Sequence, residues 1–448
     1  MKETTKWSIT VALAGFLFGF DTVVISGANQ PIKDIWELSP LFHGTFIMSM
    51  ALWGTVAGSL FGGIPTKILG RKKTLFWIGI LFFVSAIGSA VAPDPYSFSF
   101  FRFIGGIGVG ISSVAAPIYI SEISTGANRG KLGGLYQFCL VFGILIAFVS
   151  NYLLKGFDGA NDWRWMLGVE AIPAWISTLM VLKVPNSPRW LVLQKKDDQG
   201  ALDVLNKIYS TEDAQAQLKE IKVDLIKPKT GDKLFQKKYS RVLCLGFLIA
   251  FFNQLSGINF VLYYAPEILE QAGLGGSESL FNSIAIGIVN LVFTIIGVRL
   301  LDKLGRRQLI IIGSIGYILS LIMVGICFQQ DLGPTAILFF ICLFIASHAI
   351  GQGAVIWVFI SEIFPNRVRA YGQSWGVSTH WVFAAIITLI TPFFLDDQVG
   401  KLKDAVWYIY YFFAAMMVLQ LLWAIFKMPE TKGVSLETLE KELIPEDE

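Results

Sequence analysis

Apolar residues in this chain come in long unbroken runs rather than in stripes or alternations. Twelve such runs lie at roughly 9–29, 43–65, 74–93, 97–120, 132–154, 165–184, 241–265, 280–301, 309–328, 334–360, 373–395 and 405–427. Each is near the ~20 residues that a helix needs to cross the hydrocarbon core of a bilayer. Hydrocarbon offers no partner to backbone N–H and C=O groups, so only helices or closed barrels can span it. A barrel strand would alternate apolar and polar positions, and these runs do not, so they predict helices. The first run, Ile9 to Ala28, has no small-residue cleavage site and carries Asp21 at its middle. It therefore reads as a first span rather than a removable leader.

Between the sixth and seventh runs, Pro185 to Ser240 is polar and rich in Lys, with helical spacing in Ala201–Tyr209 and Gln215–Leu225. The expected organisation is an all-α membrane protein of two six-helix bundles, 1–184 and 241–428, joined by a partly helical linker, 185–240, and ending in a short tail, 429–448. Composition agrees. The 448 residues are 54% hydrophobic and 15% charged, where a soluble domain carries about 25% charged residues. An ordinary globular enzyme is excluded, and a net charge of only +3 implies no attraction to nucleic acid. The basic residues are unevenly placed. Lys67, Arg71, Lys72, Lys73, Arg129, Lys131, Lys303, Arg306, Arg307, Arg367 and Arg369 all fall in short loops on the side that also holds the linker and both termini. The positive-inside rule makes that side cytoplasmic, in a multi-pass protein of the cell membrane. The four cysteines, Cys139, Cys244, Cys327 and Cys342, sit in apolar runs and read as buried structural thiols. His43, His348 and His380 are scattered over three runs without metal-ligand spacing, so neither metal nor cofactor is expected.

The two halves repeat. Lys67-Ile68-Leu69-Gly70-Arg71-Lys72 after run two corresponds to Asp302-Lys303-Leu304-Gly305-Arg306-Arg307 after run eight. Ser121-Glu122-Ile123 with Arg129 corresponds to Ser361-Glu362-Ile363 with Arg369, and Pro185-Asn186-Ser187-Pro188-Arg189 to Pro429-Glu430-Thr431-Lys432-Gly433. Three pairs in the same order at nearly one offset indicate an internal duplication. Duplicated halves in membrane carriers meet at a midplane site and rock against each other, so transport is the expected function.

These signatures resemble the sugar porter family of the major facilitator superfamily over essentially the whole chain. The resemblance is carried by Phe18-Gly19-Phe20-Asp21-Thr22 with Val24-Ile25-Ser26-Gly27, by Arg102-Phe103-Ile104-Gly105-Gly106-Ile107-Gly108-Val109-Gly110, by Gln254-Leu255-Ser256-Gly257-Ile258-Asn259, and by the repeated loops. It implies a monomeric, proton-coupled carrier of a monosaccharide, closest in pattern to bacterial sugar-proton symporters. A passive facilitator of the same fold and a transporter-like sugar sensor are the alternatives. Passive relatives carry an uncharged residue in place of Asp21.

An acid in mid-span costs ~2.5–3.5 kcal/mol on translocon scales, so Asp21 and Arg102 need each other or a proton. By resemblance Asp21 is the proton acceptor, Arg102 its partner, and Glu170 an acid able to receive that Arg. A sugar calls for neutral amides to pair its hydroxyls and aromatics to stack on its C–H faces. The resemblance puts Gln137, Gln254, Asn259 and Asn290 on the hydroxyls, and Phe18, Tyr263, Trp357 and Trp381 at the walls and gates. Asn253 replaces the usual first Gln of its pair, shortening that arm by a methylene, and His380 stands where an amide usually precedes Trp381. Ala354 occupies a frequent Pro position, so a break in the tenth span must rely on Gly351 and Gly353. Arg71, Glu122, Arg129, Asp302, Arg306, Arg307, Glu362 and Arg369 read as a charged latch that closes the cytoplasmic side. The glycines after Arg102 lie inside an apolar span, where small residues let helices approach closely, and do not form a nucleotide loop.

Overall fold

The computed structural model describes residues 3–125, 128–226, 233–365, 368–396, 400–402, 404–434 and 436–444, and all its regular structure is helical among them. Eleven segments are long and apolar enough to cross a membrane: Glu3–Ile35, Pro40–Phe61, Arg71–Val91, Pro95–Glu122, Lys131–Leu154, Lys237–Tyr263, Gly276–Leu304, Arg306–Gln329, Pro334–Ile363, Tyr371–Leu395 and Trp407–Phe426. The twelfth is the sixth run, which forms two pieces, Asp162–Gly168 and Ala171–Val181. Pro173 explains the interruption. It has no N–H to give the Val169 carbonyl and its ring crowds that carbonyl, so the carbonyl accepts from Ile172 N instead, at 3.2 Å. The expected twelve spans are therefore present, numbered here one to twelve in chain order. The linker carries helices at Asp198–Leu205 and Thr211–Ile226, and a further helix, Leu436–Leu443, lies in the tail.

The chain forms two units: Met1–Val24 with Met50–Ser150 and Gly156–Lys229, and Ile25–Ser49 with Asn151–Lys155 and Thr230–Glu448. In the first, span two packs on four, three on four and three on six. In the second, eight packs on ten, nine on ten and nine on twelve. Adding six to each number in the first set gives the second, so the duplication read from loop motifs is also a repeat of helix packing. Spans one and five, and seven and eleven, continue the pattern.

Small residues set the closest of these approaches. A Cβ on Gly106 in span four would lie 1.9 Å from the Ala51 carbonyl oxygen of span two, and one on Gly54 would lie 2.2 Å from the Phe103 carbonyl oxygen. Backbone meets backbone here, which is the packing expected of the glycines after Arg102. Many large apolar side chains, among them Trp77, Phe100, Ile172, Leu319 and Phe339, are exposed on the outer faces, as lipid contact requires. The thiols follow the same two-sidedness, which corrects one expectation. Only Cys327 is buried; Cys139 and Cys342 are half-buried and Cys244 is exposed. A thiol is content on the lipid side of an apolar run, and run position alone does not say which side it takes.

The second unit also holds a buried polar cluster. Asn29 Nδ2 donates to Glu267 Oε2 at 2.8 Å, His43 Nε2 hydrogen-bonds with Asn29 Oδ1, and Lys33 pairs with Asp396 at 2.7 Å.

Gly106→Val should force spans two and four apart and lower the thermal stability of the detergent-purified protein by ~1–3 kcal/mol or more, the cost of overpacking. Gly133→Ala is the control: no atom lies within 4 Å of its Cβ position, so this helical substitution should be neutral or stabilise by up to ~1 kcal/mol. Equal melting temperatures for the two variants would refute the close-approach argument.

Candidate functional site

Asp21 and Arg102 face each other in the interior of the first unit. Arg102 Nη1 donates to Asp21 Oδ1 at 2.5 Å and Nη2 to the Asp21 main-chain oxygen at 3.1 Å. Glu170, at the interruption in span six, is near enough to interact electrostatically with both Asp21 and Arg102. All three residues are 2% exposed or less. Glu170 Oε1 has no hydrogen-bond partner among the described residues. Two carboxyls and one guanidinium carry a net charge of −1 when all are ionised, and a low-dielectric interior penalises that imbalance. One proton on either carboxyl brings the cluster to neutrality.

The amides of the second unit form a connected set. Asn259 Nδ2 donates to Gln254 Oε1 at 3.0 Å, and Gln254 Nε2 donates to Asn253 Oδ1 at 3.1 Å and lies 3.1 Å from His380 Nε2. His380 sits between two indoles, with ring centroids 4.9 Å from Trp357 and 4.8 Å from Trp381. Span seven positions these groups by breaking: its helix Ser240–Leu255 ends, Gly257 takes φ +88°, and a second piece, Ile258–Tyr263, restarts with Asn259 in its first turn. Only a glycine takes that φ without strain. Span ten breaks likewise at Gly351, between Pro334–Ile350 and Gln352–Ile363. Gly353 lies inside the second piece, so the break rests on Gly351 alone. Tyr263 is buried, and Asn290 Oδ1 accepts from Thr294 Oγ1 of its own helix at 3.5 Å. Gln137 is half-buried and Phe18 buried, both within the first unit.

Two further buried amides extend this set and were not foreseen. Gln352 Oε1 faces Asn253 Nδ2 at 3.5 Å, and Gln352 Nε2 donates to Gln420 Oε1 at 2.7 Å. Their signal was present, since each is an amide inside an apolar run. The family motifs do not include them, so resemblance passed over them.

The charged loops form a bracket that recurs in each unit. Arg71 Nη2 donates to Glu122 Oε1 at 2.7 Å while Ser187 Oγ donates to Glu122 Oε2 at 2.6 Å. In the second unit Arg306 Nη2 donates to Glu362 Oε1 at 2.6 Å while Thr431 Oγ1 donates to Glu362 Oε2 at 2.6 Å. Other members of the expected latch hold different posts. Arg307 Nε donates to the Ala424 carbonyl at 2.9 Å, which places a cation on the last turn of Trp407–Phe426, where the helix dipole favours it. Arg369 Nε donates to the Phe364 carbonyl at 3.1 Å. Asp302 is exposed and has no ion-pair partner among the described residues. The Arg129 side chain lies outside the described set.

Arg102→Ala would leave two buried carboxyls without their cation, and breaking such a pair costs ~3–5 kcal/mol. Thermal unfolding of the purified protein should show that loss. The double variant Arg102→Ala with Asp21→Asn should recover part of it, because one orphaned charge is removed. Additive effects of the two changes would mean that the pair is not coupled.

The sequence model of the family described as "Sugar (and other) transporter" matches residues 7–443. The arabinose-proton symporter of Bacillus subtilis (strain 168) is 35% identical, with 97% of this chain and 94% of that protein covered. The D-xylose-proton symporter of Escherichia coli (strain K12) is 33% identical, with 98% and 95% covered. The partially occluded inward-open structure of the E. coli xylose transporter XylE superimposes with a TM-score of 0.85 at 31% identity, covering 96% of this chain and 99% of that one. The fold is thus the twelve-helix major facilitator fold, and the protein is a transporter rather than an enzyme. By family model, by relatives and by structure alike, this chain belongs to the sugar transporter family.

Proposed function

We propose that this protein is a secondary active transporter that carries a monosaccharide, a pentose or a hexose, together with a proton by alternating access of its two six-helix halves. The observation that carries the reading is the buried group of Asp21, Arg102 and Glu170, which is balanced only when it holds a proton. In this reading Asp21 accepts the proton, Arg102 exchanges between Asp21 and Glu170, and loss of the ionic contact permits the halves to tilt. The symporters for arabinose and xylose among its relatives support the same assignment. Gln137, Asn253, Gln254, Asn259, Asn290 and His380 meet the sugar hydroxyls, and Phe18, Tyr263, Trp357 and Trp381 stack on or enclose the ring.

In this reading the linker and both termini lie in the cytoplasm of a cell-membrane protein, which the basic loops support through the positive-inside rule. The protein works as a monomer, since each chain carries its own proton seat and amide set. In this reading the repeated Arg–Glu–hydroxyl brackets fix the helix ends on the cytoplasmic face and act as the latch that closes it, while Arg307 and Arg369 tie down main-chain carbonyls instead. An exposed ion pair contributes only ~0–1 kcal/mol, but a partly buried network of several supplies enough to bias two states.

Reconstituted vesicles test the coupling. With one proton carried per sugar, a gradient of about one pH unit is worth about 1.4 kcal/mol and supports roughly tenfold accumulation. The wild type should approach that ratio for its substrate, and adding sugar should alkalinise the outside medium. Asp21→Asn should retain counterflow while accumulation falls to equilibrium. Accumulation by the Asn variant at the wild-type level would remove Asp21 from coupling, and sugar movement by the wild type without any proton flux would make the protein a passive facilitator.

A further inference from the structure

We infer that Gln352 and Gln420, oriented by Ser314, are positioning residues of the sugar site: they set which atoms of Asn253, Gln254 and Asn259 donate hydrogen bonds and which accept them. The inference rests on the reading of those three amides as sugar ligands. It goes beyond that reading because none of the three orienting residues needs to touch the sugar.

The chain of bonds runs in one direction. Ser314 Oγ donates to the Ile310 carbonyl of its own helix at 2.7 Å, which uses its single hydrogen and leaves its lone pairs free. Gln420 Nε2 donates to that oxygen at 2.8 Å. Gln352 Nε2 then donates to Gln420 Oε1 at 2.7 Å. Gln352 Oε1 is left facing Asn253 Nδ2, at 3.5 Å, the limit of hydrogen bonding. Asn253 Oδ1 accepts from Gln254 Nε2 at 3.1 Å, and Gln254 Oε1 accepts from Asn259 Nδ2 at 3.0 Å. Each amide from Gln420 to Gln254 gives its nitrogen to one neighbour and its oxygen to the other, and Asn259 at the end gives its nitrogen. Turning any one of them over would set nitrogen against nitrogen or oxygen against oxygen. A carboxamide alone has no preference between its two ends, so the direction comes from where the chain meets the main chain at Ile310.

Burial distinguishes the two ends of the chain. Ser314, Gln352 and Gln420 have no exposed surface, Gln254 has 1%, Asn253 2% and Asn259 8%. The anchored end is sealed and the open end is Asn259, whose Oδ1 is still available as an acceptor. A hydroxyl that donates is therefore the group this end selects. The arrangement also answers the short arm at Asn253. With one methylene fewer than the usual Gln, Asn253 does not reach across, and Gln352 reaches toward it from the first turn after the break at Gly351. Gln352 comes from span ten, Gln420 from span twelve and Ser314 from span nine, so three helices other than span seven orient the three amides of span seven.

The test compares Gln420→Met, Ser314→Val and Ser314→Thr with the wild type in proteoliposomes. Binding is measured by counterflow inhibition for D-xylose, D-glucose and L-arabinose, then for the monodeoxy and deoxyfluoro analogues of whichever binds. Fluorine accepts weakly and cannot donate, so the wild type should reject the deoxyfluoro analogue at the Asn259 position as strongly as the deoxy one. Gln420→Met and Ser314→Val should bind the parent sugar about three- to tenfold more weakly, the worth of one misdirected hydrogen bond. They should also discriminate less between hydroxyl and fluorine at that position. Ser314→Thr keeps the hydroxyl and should behave as the wild type, which separates direction from added bulk. If Gln420→Met fails to fold, the Ser314 pair decides alone. Unchanged affinity and unchanged selectivity in a folded Ser314→Val, or a loss of thermal stability without a change in selectivity, would overturn the inference. A wild type that binds none of the three sugars would instead overturn the sugar-site reading on which it rests.

Discussion

Hydrocarbon answers no hydrogen bond, and that single constraint organises this protein from its backbone to its sites. It turns the apolar runs into helices, because only a helix satisfies its own main chain. It also dictates what happens wherever a polar side chain enters a span. Asp21, Arg102 and Glu170 are gathered into one charge group, and Gln254, Asn253, Gln352 and Gln420 into one line of amides that ends on the Ser314 hydroxyl. Two or three polar groups placed apart would each be costly; placed together they solve one another's desolvation. The helix breaks follow from the same requirement. At Gly257 and Gly351 the helix is interrupted within a few residues of the buried amides Gln254, Asn259 and Gln352.

The repeated brackets show how duplication and divergence divide the work. Each unit ties an Arg at the start of one helix to a Glu at the end of another and to a hydroxyl after its last span, with nearly identical distances. The halves differ at the next residue. Glu430 of the second unit accepts from the backbone N–H groups of Arg306 and Arg307, capping that helix with a charge. Its counterpart in the first unit is Asn186, and there the glycine before the helix is covered instead by the ring of Trp190, whose Nε1 donates to the Lys67 carbonyl. An anionic cap at a helix N-terminus contributes about 0.3–1 kcal/mol, up to ~2 kcal/mol when partly buried. The first unit has replaced that electrostatic contribution with aromatic packing.

Spans and their number were legible because their signal is a property of the run itself: length and continuity of apolar residues. The duplication was legible because its loops kept residue types in order. The interruptions were less so. Gly351 was readable once Ala354 removed the expected Pro, yet Gly353 beside it is helical, and the break at Glu170 required weighing Pro173 inside an otherwise good run. The charge cluster could be anticipated from the cost of a mid-span acid, and the Arg and Glu of each bracket from the repeated loops, whereas their hydroxyl partners could not. Ser187 and Thr431 are ordinary loop hydroxyls, and nothing local announces that each will find a glutamate more than 60 residues away in sequence. Gln352 and Gln420 illustrate a different failure. The cost of burying an amide marks both, but a motif comparison looks only where relatives keep ligands.

The two units solve the same desolvation problem with different chemistry, and on the proposed function the reason lies in what each cargo demands. A proton changes the charge of whatever binds it, so its seat must contain ionised groups whose balance the proton alters. That is what two carboxyls and one guanidinium provide. A sugar brings no charge. A carboxylate or ammonium facing it would have to be paired or neutralised again each time the site emptied, and the empty carrier would be trapped by that pairing. Neutral amides avoid the trap, but they introduce an ambiguity of their own, because nitrogen and oxygen are nearly interchangeable in shape. A line of amides anchored to a main-chain carbonyl removes that ambiguity without adding charge. The line of amides itself can therefore stay uncharged and still be directional, which a selective site for a polyhydroxylated solute requires.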